Sequence, residues 1–151
     1  MMSRSSQFRV RRVSWNESGD FLRSIRNSVF VKEQNVPAEL EWDGLDGLCT
    51  HVIGETTQGE PFGTGRLLPD GHIGRMAVVK YWRGRGVGSA ILAELIAAAR
   101  EKGCDSAILN AQTHALKFYA RFGFEIVSDE FMDAGIPHRT MRAMLFRPKR
   151  E

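Results

Sequence analysis

The order of hydrophobic and polar positions predicts a strand and then a helix at the start of the chain. Hydrophobic and polar side chains alternate over residues 8–13, as in a strand with one exposed face. Ser18 is a candidate N-cap for a helix that runs to about Lys32. Apolar residues recur every four positions along that helix and share one face: Phe21, Ile25 and Val29.

Three short apolar segments after an acidic stretch predict an antiparallel meander. The acidic stretch, residues 38–47, contains two glycines and is predicted to be a loop. Strands are predicted at residues 49–55, 61–68 and 72–79. Pro69-Asp70-Gly71 is a strong turn signal between the second and the third strand. Because the connections are short, neighbouring strands are predicted to be antiparallel.

The hydrophobic period changes in the second half of the chain. It predicts a long helix over residues 86–102, a strand over 105–110 and a helix over 113–122. Final strands are predicted at 124–128 and about 140–146, with a loop at 133–137 between them. The strands that flank the long helix form a β-α-β unit and are predicted to be parallel. The resulting order, β-α-βββ-α-β-α-ββ, indicates a mixed sheet with helices on its faces, in the α/β (α+β) class.

Length and composition indicate one globular domain. The chain has 151 residues, of which 42% are hydrophobic and 26% charged. We expect a flexible tail at residues 1–7 and a single domain over residues 8–151. Cys49 and Cys104 are too few for a disulfide framework and fit a reducing compartment. Since no apolar run approaches the ~20 residues that cross a bilayer and no secretory signal is present, we expect a cytoplasmic protein without membrane contact.

Charge is unevenly distributed along the chain. The net charge is only +3, but residues 1–13 and 138–151 are basic, whereas residues 39–46 carry four acidic side chains and no basic one. Basic termini permit a nucleic-acid-binding module, whose affinity would depend strongly on salt. The small net charge and the lack of a basic helix with interleaved aromatic residues argue against a nucleic-acid partner.

A glycine-rich turn, Arg83-Gly84-Arg85-Gly86-Val87-Gly88, joins the meander to the long helix. Free N–H groups at the start of a helix and the positive end of its dipole bind anions. A dinucleotide fingerprint would need glycine at the position of Ser89, and a Walker A loop would need Gly-Lys-Ser/Thr. The turn therefore predicts a phosphate site of another kind, with a tight structural turn as the alternative.

This turn resembles the pyrophosphate loop of the GNAT superfamily, whose members transfer an acetyl group from acetyl-coenzyme A (acetyl-CoA) to an amine. The matching spacing is Arg83-x-x-Gly86-x-Gly88. A second segment, from Asn110-Ala111-Gln112 to Gly123-Phe124, is similar to the strand and helix that follow in that family. The chain further resembles the ElaA-like subgroup. That resemblance lies in Arg26, Phe30, Glu33, Gln34, Pro37, Glu41, Asp43, Asp46, His51, Gly135-Ile136-Pro137-His138 and Met141.

The resemblance implies an acetyl-CoA site on the strand and loop before the long helix. A bulge would splay the strand Met76-Ala77-Val78-Val79, and its backbone would hydrogen bond the pantetheine arm. A backbone N–H near Val78 would stabilise the oxyanion. Arg83 and Arg85 would lie beside the pyrophosphate. The pyrophosphate would accept hydrogen bonds from the backbone N–H groups of five residues of the loop: Gly84, Gly86, Val87, Gly88 and Ser89. Gln112 stands where the family often has asparagine, which contacts the pantetheine arm.

The resemblance also implies that Tyr119 protonates the departing thiolate, although helix periodicity alone favours a core tyrosine. The amine must lose a proton before it attacks, so a base or a water chain is required. The candidate bases are Glu33, Glu41, Asp43, Asp46, Glu130 and His138. We assign catalytic roles to Glu33 and His138. The alternatives are that Glu33 ties down the following loop and that His138 is a turn residue.

The acidic stretch has two interpretations. It is either a solvated loop or a rim that attracts the amine, with Glu41 and Asp43 as substrate ligands and Trp42 as a cation–π face. No metal site is expected, because Cys49 and His51 lack a matching second pair. A serine hydrolase is not expected either, because no nucleophile elbow is present.

Two functions follow from these patterns. The first is an N-acetyltransferase that moves an acetyl group from acetyl-CoA to a primary amine by direct attack in a ternary complex. The alternative is a non-catalytic acyl-CoA-binding module that regulates a protein partner, because the sequence offers no obvious base. The acceptor, a small molecule or a protein amine, is left open, as is a homodimer.

Overall fold

The computed structural model describes residues 7–145, which form two antiparallel sheets with helices packed on them. The first sheet contains, in spatial order, β1 (Phe8–Val13), β2 (Thr50–Thr56), β3 (Pro61–Leu67) and β4 (Ile73–Val78). The second contains β5 (Ser106–Gln112), β6 (Glu125–Ile126), β7 (Phe131–Asp133) and β8 (Ile136–Met144), with β5, β6 and β7 all paired to β8. Residues 1–6 of the predicted tail and the basic residues 146–151 lie outside the described residues.

The helices are α1 (Trp15–Arg26), α2 (Ala38–Glu41), α3 (Val87–Glu101) and α4 (Leu116–Ala120). A π-helical segment, Asn27–Glu33, continues α1, and single 3₁₀ turns occupy Asp46–Leu48, Lys80–Trp82 and Thr113–Ala115. The prediction that Ser18 caps the first helix is wrong. Ser14 is the N-cap, and its hydroxyl accepts a hydrogen bond from the Glu17 N–H at 3.2 Å, while Ser18 is buried within the first turn.

The predicted mixed fold and the order of its main elements are confirmed. The predicted parallel pair is β4 and β5, which meet at one bridge, between His72 and Ile108, and then separate. Two predictions at the C-terminal end need correction. Residues 133–137, predicted as a loop, form the hairpin of an additional strand, β7, because Ala134 and Gly135 adopt positive φ values of 50° and 77° and turn the chain sharply. The helix predicted over 113–122 is a 3₁₀ turn followed by the short α4.

A bulge in β4 sets the separation of the two sheets. Gly65 of β3 lies opposite two residues of β4, Arg75 and Met76, because the pairing shifts between Thr64 and Arg66. Such a bulge bends a strand and increases its twist. Arg75 adopts a φ of +50°, a conformation that L side chains rarely take. Beyond the bulge β4 no longer follows β5, and a gap opens between the sheets.

Two hydrophobic clusters fix helices on opposite faces of the first sheet. Leu22, Ile25 and Val29 pack against one face, while Phe21, predicted to share their face, is 54% exposed. On the other face α3 lies close to the strands because three strand positions carry no side chain: Gly54, Gly63 and Gly65. The sheet is therefore buried on both sides at the strands that border the gap.

We expect Gly65→Ala to destabilise the fold, because its new Cβ would lie 2.7 Å from Leu95 Cδ1 and 2.9 Å from Ile91 Cγ2. Overpacking of this kind costs about 1–3 kcal/mol, and each kcal/mol lowers the melting temperature by roughly 2–4 °C. Gly74→Ala is the control, because its Cβ would meet no atom within 4 Å. Thermal unfolding of both variants tests the close approach of α3. Equal melting temperatures would contradict it.

Candidate active site

The gap between the two sheets opens into a cleft of about 620 Å³. β4 and β5 form two of its walls, the π-helical segment a third, and the β7–β8 hairpin closes one end. Many of the predicted site residues border the same cleft. They are Glu33, Glu41, Met76, Ala77, Val78, Arg83, Gln112, Tyr119 and His138. The other predicted residues, Trp42, Asp43, Val79 and the loop at 84–89, do not line it.

The backbone of β4 presents polar groups to the cleft, and one of them, the Val78 N–H, has no backbone partner among the described residues. The Val79 N–H donates to the Phe62 carbonyl of β3 at 2.9 Å. Because alternate residues of an antiparallel strand point to the same edge, the N–H and C=O of Val78 point away from β3 and into the gap. This edge can therefore hydrogen bond an extended ligand as a further strand would.

Tyr119 reaches the same edge from α4. Its hydroxyl lies 3.8 Å from the Met76 sulfur. Burial raises the pKa of Tyr119 to about 12, since the ionised phenolate is poorly solvated there. The phenol therefore keeps its proton at neutral pH and can donate a hydrogen bond into the cleft.

The start of α3 provides an anion site beside the end of β4. Gly86 is the N-cap residue, with a φ of +84°, and no side chain caps the first turn. The N–H groups of that turn have no partner within the helix, and they include those of Val87, Gly88 and Ser89. A side chain at Gly86 would be strained at this φ, so glycine is required for the turn that presents these groups. The arrangement fits a phosphate ligand.

The two arginines of the loop, however, contact the protein itself. Arg83 donates from Nη1 and Nη2 to the carboxylate of Glu33, both at 2.6 Å, and from Nε to the Val78 carbonyl at 2.8 Å. The Arg85 guanidinium lies 4.6 Å from the centre of the Tyr81 ring. The pyrophosphate contacts predicted for these two side chains stay predictions, and the backbone N–H groups are better placed for the role.

Glu33 is a poor candidate for the base. The hydrogen bonds from Arg83 lower the pKa of its carboxyl group, because they stabilise the ionised form. A carboxylate with a lowered pKa accepts a proton from an amine less readily. The contacts favour the alternative role, in which Glu33 ties the end of the π-helical segment to the loop before α3.

His138 is the better placed base. Its Nδ1 lies 2.7 Å from the Ile136 carbonyl, so Nδ1 carries the proton, and Nε2 of the neutral ring has a free lone pair. Phe131 stacks on the ring with centroids 6.0 Å apart and fixes its plane. His138 pairs across the sheet with Gln112, at the end of β5 that borders the cleft.

Gln112 links two walls of the cleft. Its Nε2 donates to Gln34 Oε1 at 3.0 Å, and its Oε1 lies 2.6 Å from His114 Nε2. Gln34 directly follows the π-helical segment, so this amide ties that segment to β5. The predicted contact of Gln112 with a pantetheine arm stays a prediction.

The acidic stretch is held by arginines, in what we call the arginine–carboxylate network. Its members are Arg26, Arg66, Arg75, Glu41, Asp43 and Asp46. Arg26 donates from Nε to Glu41 and from Nη1 to Asp46, both at 2.7 Å, and its side chain is 1% exposed. Arg66 bonds both Asp43 and Asp46, with 3.0 Å between its Nη1 and each carboxylate. Arg66 and Arg75 were missed at the sequence level, although an arginine inside the apolar strand 61–67 is a signal of buried pairing.

The predicted amine-attracting rim is therefore already occupied by cations of the protein. Glu41 is buried, and Trp42 has the Arg26 guanidinium 4.9 Å from its ring centre. The hydrogen bonds from Arg66 lower the pKa of Asp43. Burial raises the pKa of Asp46, but the hydrogen bonds and charges of Arg26 and Arg66 outweigh it, and the net shift is downward. Glu130, a further candidate base, is exposed and does not line the cleft.

Residues 7–145 contain neither a cluster of metal ligands nor a membrane-spanning helix. No three His, Cys, Asp or Glu side chains in this range are grouped as metal ligands would be. No helix there combines the length and the apolar character needed to span a bilayer.

Comparison with known proteins assigns this architecture to a family. The model for the acetyltransferase (GNAT) domain matches residues 24–145. An uncharacterized N-acetyltransferase of Bacillus subtilis, YjcF, is 46% identical over 122 residues, which are 78% of this chain and 86% of YjcF. Protein ElaA of Escherichia coli is 32% identical over 125 residues, which are 78% of this chain and 81% of ElaA.

Solved structures show the same fold. The crystal structure of an acyl-CoA N-acyltransferase from Pseudomonas aeruginosa matches with a TM-score of 0.81 and 29% identity, over 91% of this chain and 99% of that one. The crystal structure of Escherichia coli ElaA matches with a TM-score of 0.79 and 30% identity, over 89% and 99% of the two chains.

Acid is expected to destabilise the fold, because Asp43 and Asp46 have lowered pKa values in the folded state. Such carboxyl groups stabilise the fold fully at a pH above their pKa in the unfolded chain, which is about 3.9. This contribution is lost as the pH falls through their lower pKa in the folded protein. The free energy of urea unfolding should therefore drop below about pH 4. Asp43→Asn should be less stable than the unchanged chain at neutral pH, by a margin that shrinks in acid. The control is Asp20→Asn, at a fully exposed carboxylate. A margin for Asp43→Asn that does not vary with pH would contradict the network.

Proposed function

Because the chain belongs to the GNAT acetyltransferase family, we propose that it is an N-acetyltransferase that uses acetyl-CoA and a primary amine. The observation that carries the proposal is the combination of two features in the cleft with an anion site outside its lining. In the cleft are the free N–H of Val78 and the Tyr119 hydroxyl, and the anion site is the uncapped start of α3.

Acetyl-CoA fits the residues present. The edge of β4 at Met76 and Val78 would hold the pantetheine arm by backbone hydrogen bonds, whereas both backbone groups of Val79 are bonded within the fold. The N–H groups of the loop and first turn, residues 84–89, would hold the pyrophosphate. Bound acetyl-CoA supplies a thioester whose carbonyl carbon is open to attack by an amine.

The amine attacks directly in a ternary complex, and the residues of the chain manage its proton and charges. Nε2 of His138 accepts the proton that the amine must lose as its C–N bond forms. The Val78 N–H donates a hydrogen bond to the thioester oxygen, where negative charge develops. The C–S bond then breaks, and the thiolate leaves.

Tyr119 stabilises that thiolate as a hydrogen-bond donor. A free thiol has a pKa of about 8.5, whereas the pKa of Tyr119 is about 12. Full transfer of the phenolic proton to sulfur is therefore uphill, and the thiolate takes its proton from solvent. This refines the predicted role of Tyr119 from an acid to a donor that keeps its own proton.

The proposal includes a cytoplasmic location. Cys49 and Cys104 are free thiols, which fits a reducing compartment.

Thermal unfolding with acetyl-CoA, coenzyme A and ATP tests the donor, and thiol release over a panel of primary amines tests transfer. A ligand at ~100 times its Kd stabilises by roughly 2.7 kcal/mol, which corresponds to a shift of several degrees. We expect a clear shift with acetyl-CoA, little with ATP, and thiol release with at least one amine. No shift with acetyl-CoA would overturn the proposal. Binding without turnover would favour a non-catalytic acyl-CoA-binding module.

Tyr119→Phe should lower kcat by about 100-fold with little change in KM, because the hydroxyl acts on charge that develops during the reaction. The chain has one other tyrosine, and Tyr81→Phe is therefore the matched control. Tyr81 is 65% exposed and does not line the cleft, so its variant should keep the kcat of the unchanged chain. An unaltered kcat in Tyr119→Phe would remove Tyr119 from the reaction.

A further inference from the structure

Arg75 occupies a strained position in the wall of the cleft. It lies in the β4 bulge with a φ of +50°, and within residues 7–145 only Asn35 and Ala134 are other non-glycine residues with positive φ. Backbone strain of this kind persists only where surrounding contacts impose it, and it concentrates at functional sites. Arg75 also precedes Met76, whose sulfur contacts the Tyr119 hydroxyl. The strained position therefore holds a cationic side chain in the lining of the cleft that Val78 and Tyr119 also line.

The guanidinium of Arg75 has donors to spare. Within the described residues its hydrogen bonds all come from Nη2, to the Glu41 carbonyl and to Asp43, both at 3.3 Å. Its Nε lies 3.3 Å from Glu41 Oε1 without forming a hydrogen bond. The neighbouring Arg66 also has an Nε without a partner. Both of these Nε atoms are buried, so the donor that Arg75 offers to a ligand is Nη1, which makes no hydrogen bond within the described residues.

Of the charged groups in the network, the cleft meets chiefly the cation of Arg75. Its side chain is 27% exposed, whereas that of Glu41, which also borders the cleft, is 4% exposed. Asp43 does not line the cleft at all. A guanidinium that keeps free N–H groups binds a carboxylate with short, charge-assisted hydrogen bonds.

Apolar side chains also line the cleft, alongside polar and charged ones such as Gln34, Asn110 and Asp133. Phe30 and Val36 line it from the π-helical segment and the residues after it, Leu109 from β5 and Ile136 from β8. Such walls accommodate a hydrophobic group of a ligand. Together with Arg75, they suit a molecule with a carboxylate and an apolar side chain.

We propose that the acceptor is a free amino acid with an apolar side chain, and that Arg75 binds its carboxylate next to the amine that attacks. The inference rests on the proposed function, because it assigns the acceptor of that same cleft. Arg75 and the edge of β4 line the same cleft, so a carboxylate bound to Arg75 keeps the neighbouring amine of an amino acid within that cleft.

Three related amines test the proposal: L-phenylalanine, L-phenylalaninamide and 2-phenylethylamine. They share the apolar group and differ in the carboxylate. Hydrogen bonds to charged groups contribute about 1.5–3 kcal/mol, so L-phenylalanine should show a kcat/KM roughly 10- to 100-fold above the other two. Equal or better turnover of 2-phenylethylamine would overturn the proposal.

Arg75→Gln should remove this preference selectively. We expect it to lower kcat/KM for L-phenylalanine roughly 10- to 100-fold and to affect the two analogues that lack a carboxylate much less. Arg75→Lys keeps the charge and should restore part of the preference. Arg23→Gln is the control, at an exposed arginine outside the cleft. An equal loss for all three amines in Arg75→Gln would indicate a structural role only and would overturn the proposal.

A binding measurement separates this proposal from the transferase proposal. Thermal unfolding is followed with N-acetyl-L-phenylalanine and with its amide, for the unchanged chain, Arg75→Gln and Arg75→Lys. Stabilisation by the carboxylate form alone, lost in Arg75→Gln, supports the site even if no amine releases thiol and the transferase proposal fails. Equal responses to the two compounds overturn the carboxylate site. If Arg75→Gln does not fold, two other results decide whether Arg75 forms a carboxylate site. These are the response of Arg75→Lys and the comparison of the two compounds on the unchanged chain.

Discussion

The arrangement of the cleft depends on the arginine–carboxylate network. Three arginines and three carboxylates balance to zero charge, and Arg26, Arg66 and Glu41 are almost fully buried. Removing one partner of a buried pair leaves an uncompensated charge, which costs far more than the pair gains. The acidic stretch therefore has to stay against β3 and the bulge of β4. The position of the acidic stretch in turn fixes the C-terminal end of the π-helical segment, which forms one wall of the cleft.

The network also explains why the acidic stretch is misleading in the sequence. Four acidic side chains within eight residues suggest an exposed, amine-attracting surface. The partners of three of them, Glu41, Asp43 and Asp46, come from α1 and from β3 and β4, up to 34 positions away in the chain. Pairing over such distances depends on the register of the sheet, which local patterns do not contain. The same holds for Arg83, whose spacing suggests a phosphate ligand but whose partner, Glu33, lies 50 residues earlier.

Elements with a strong and sustained pattern could be predicted closely. The helix predicted over residues 86–102 is observed as Val87–Glu101, and the meander strands differ from their predictions by at most one residue at each end. Short elements were predicted less well, because tertiary contacts decide them. The π-helical segment continues α1 without any change in composition, and the strand β7 has three residues. For the site, nine of the residues predicted from the sequence line the cleft. Arg75 was not among them, because its significance comes from a bulge and a positive φ.

The splayed sheet leaves the edge of β4 unpaired inside the domain, which is costly unless something else bonds it. The chain itself supplies a partner for one of the two Val78 backbone groups, because Arg83 donates a hydrogen bond to the Val78 carbonyl. The Val78 N–H points into the same gap and has the geometry to bond a ligand oxygen. Glu33 holds the Arg83 guanidinium in place from the opposite wall. The pair therefore leaves a donor rather than an acceptor at the edge where, in the proposed reaction, a thioester oxygen would gain negative charge, and that is the polarity that acyl transfer requires.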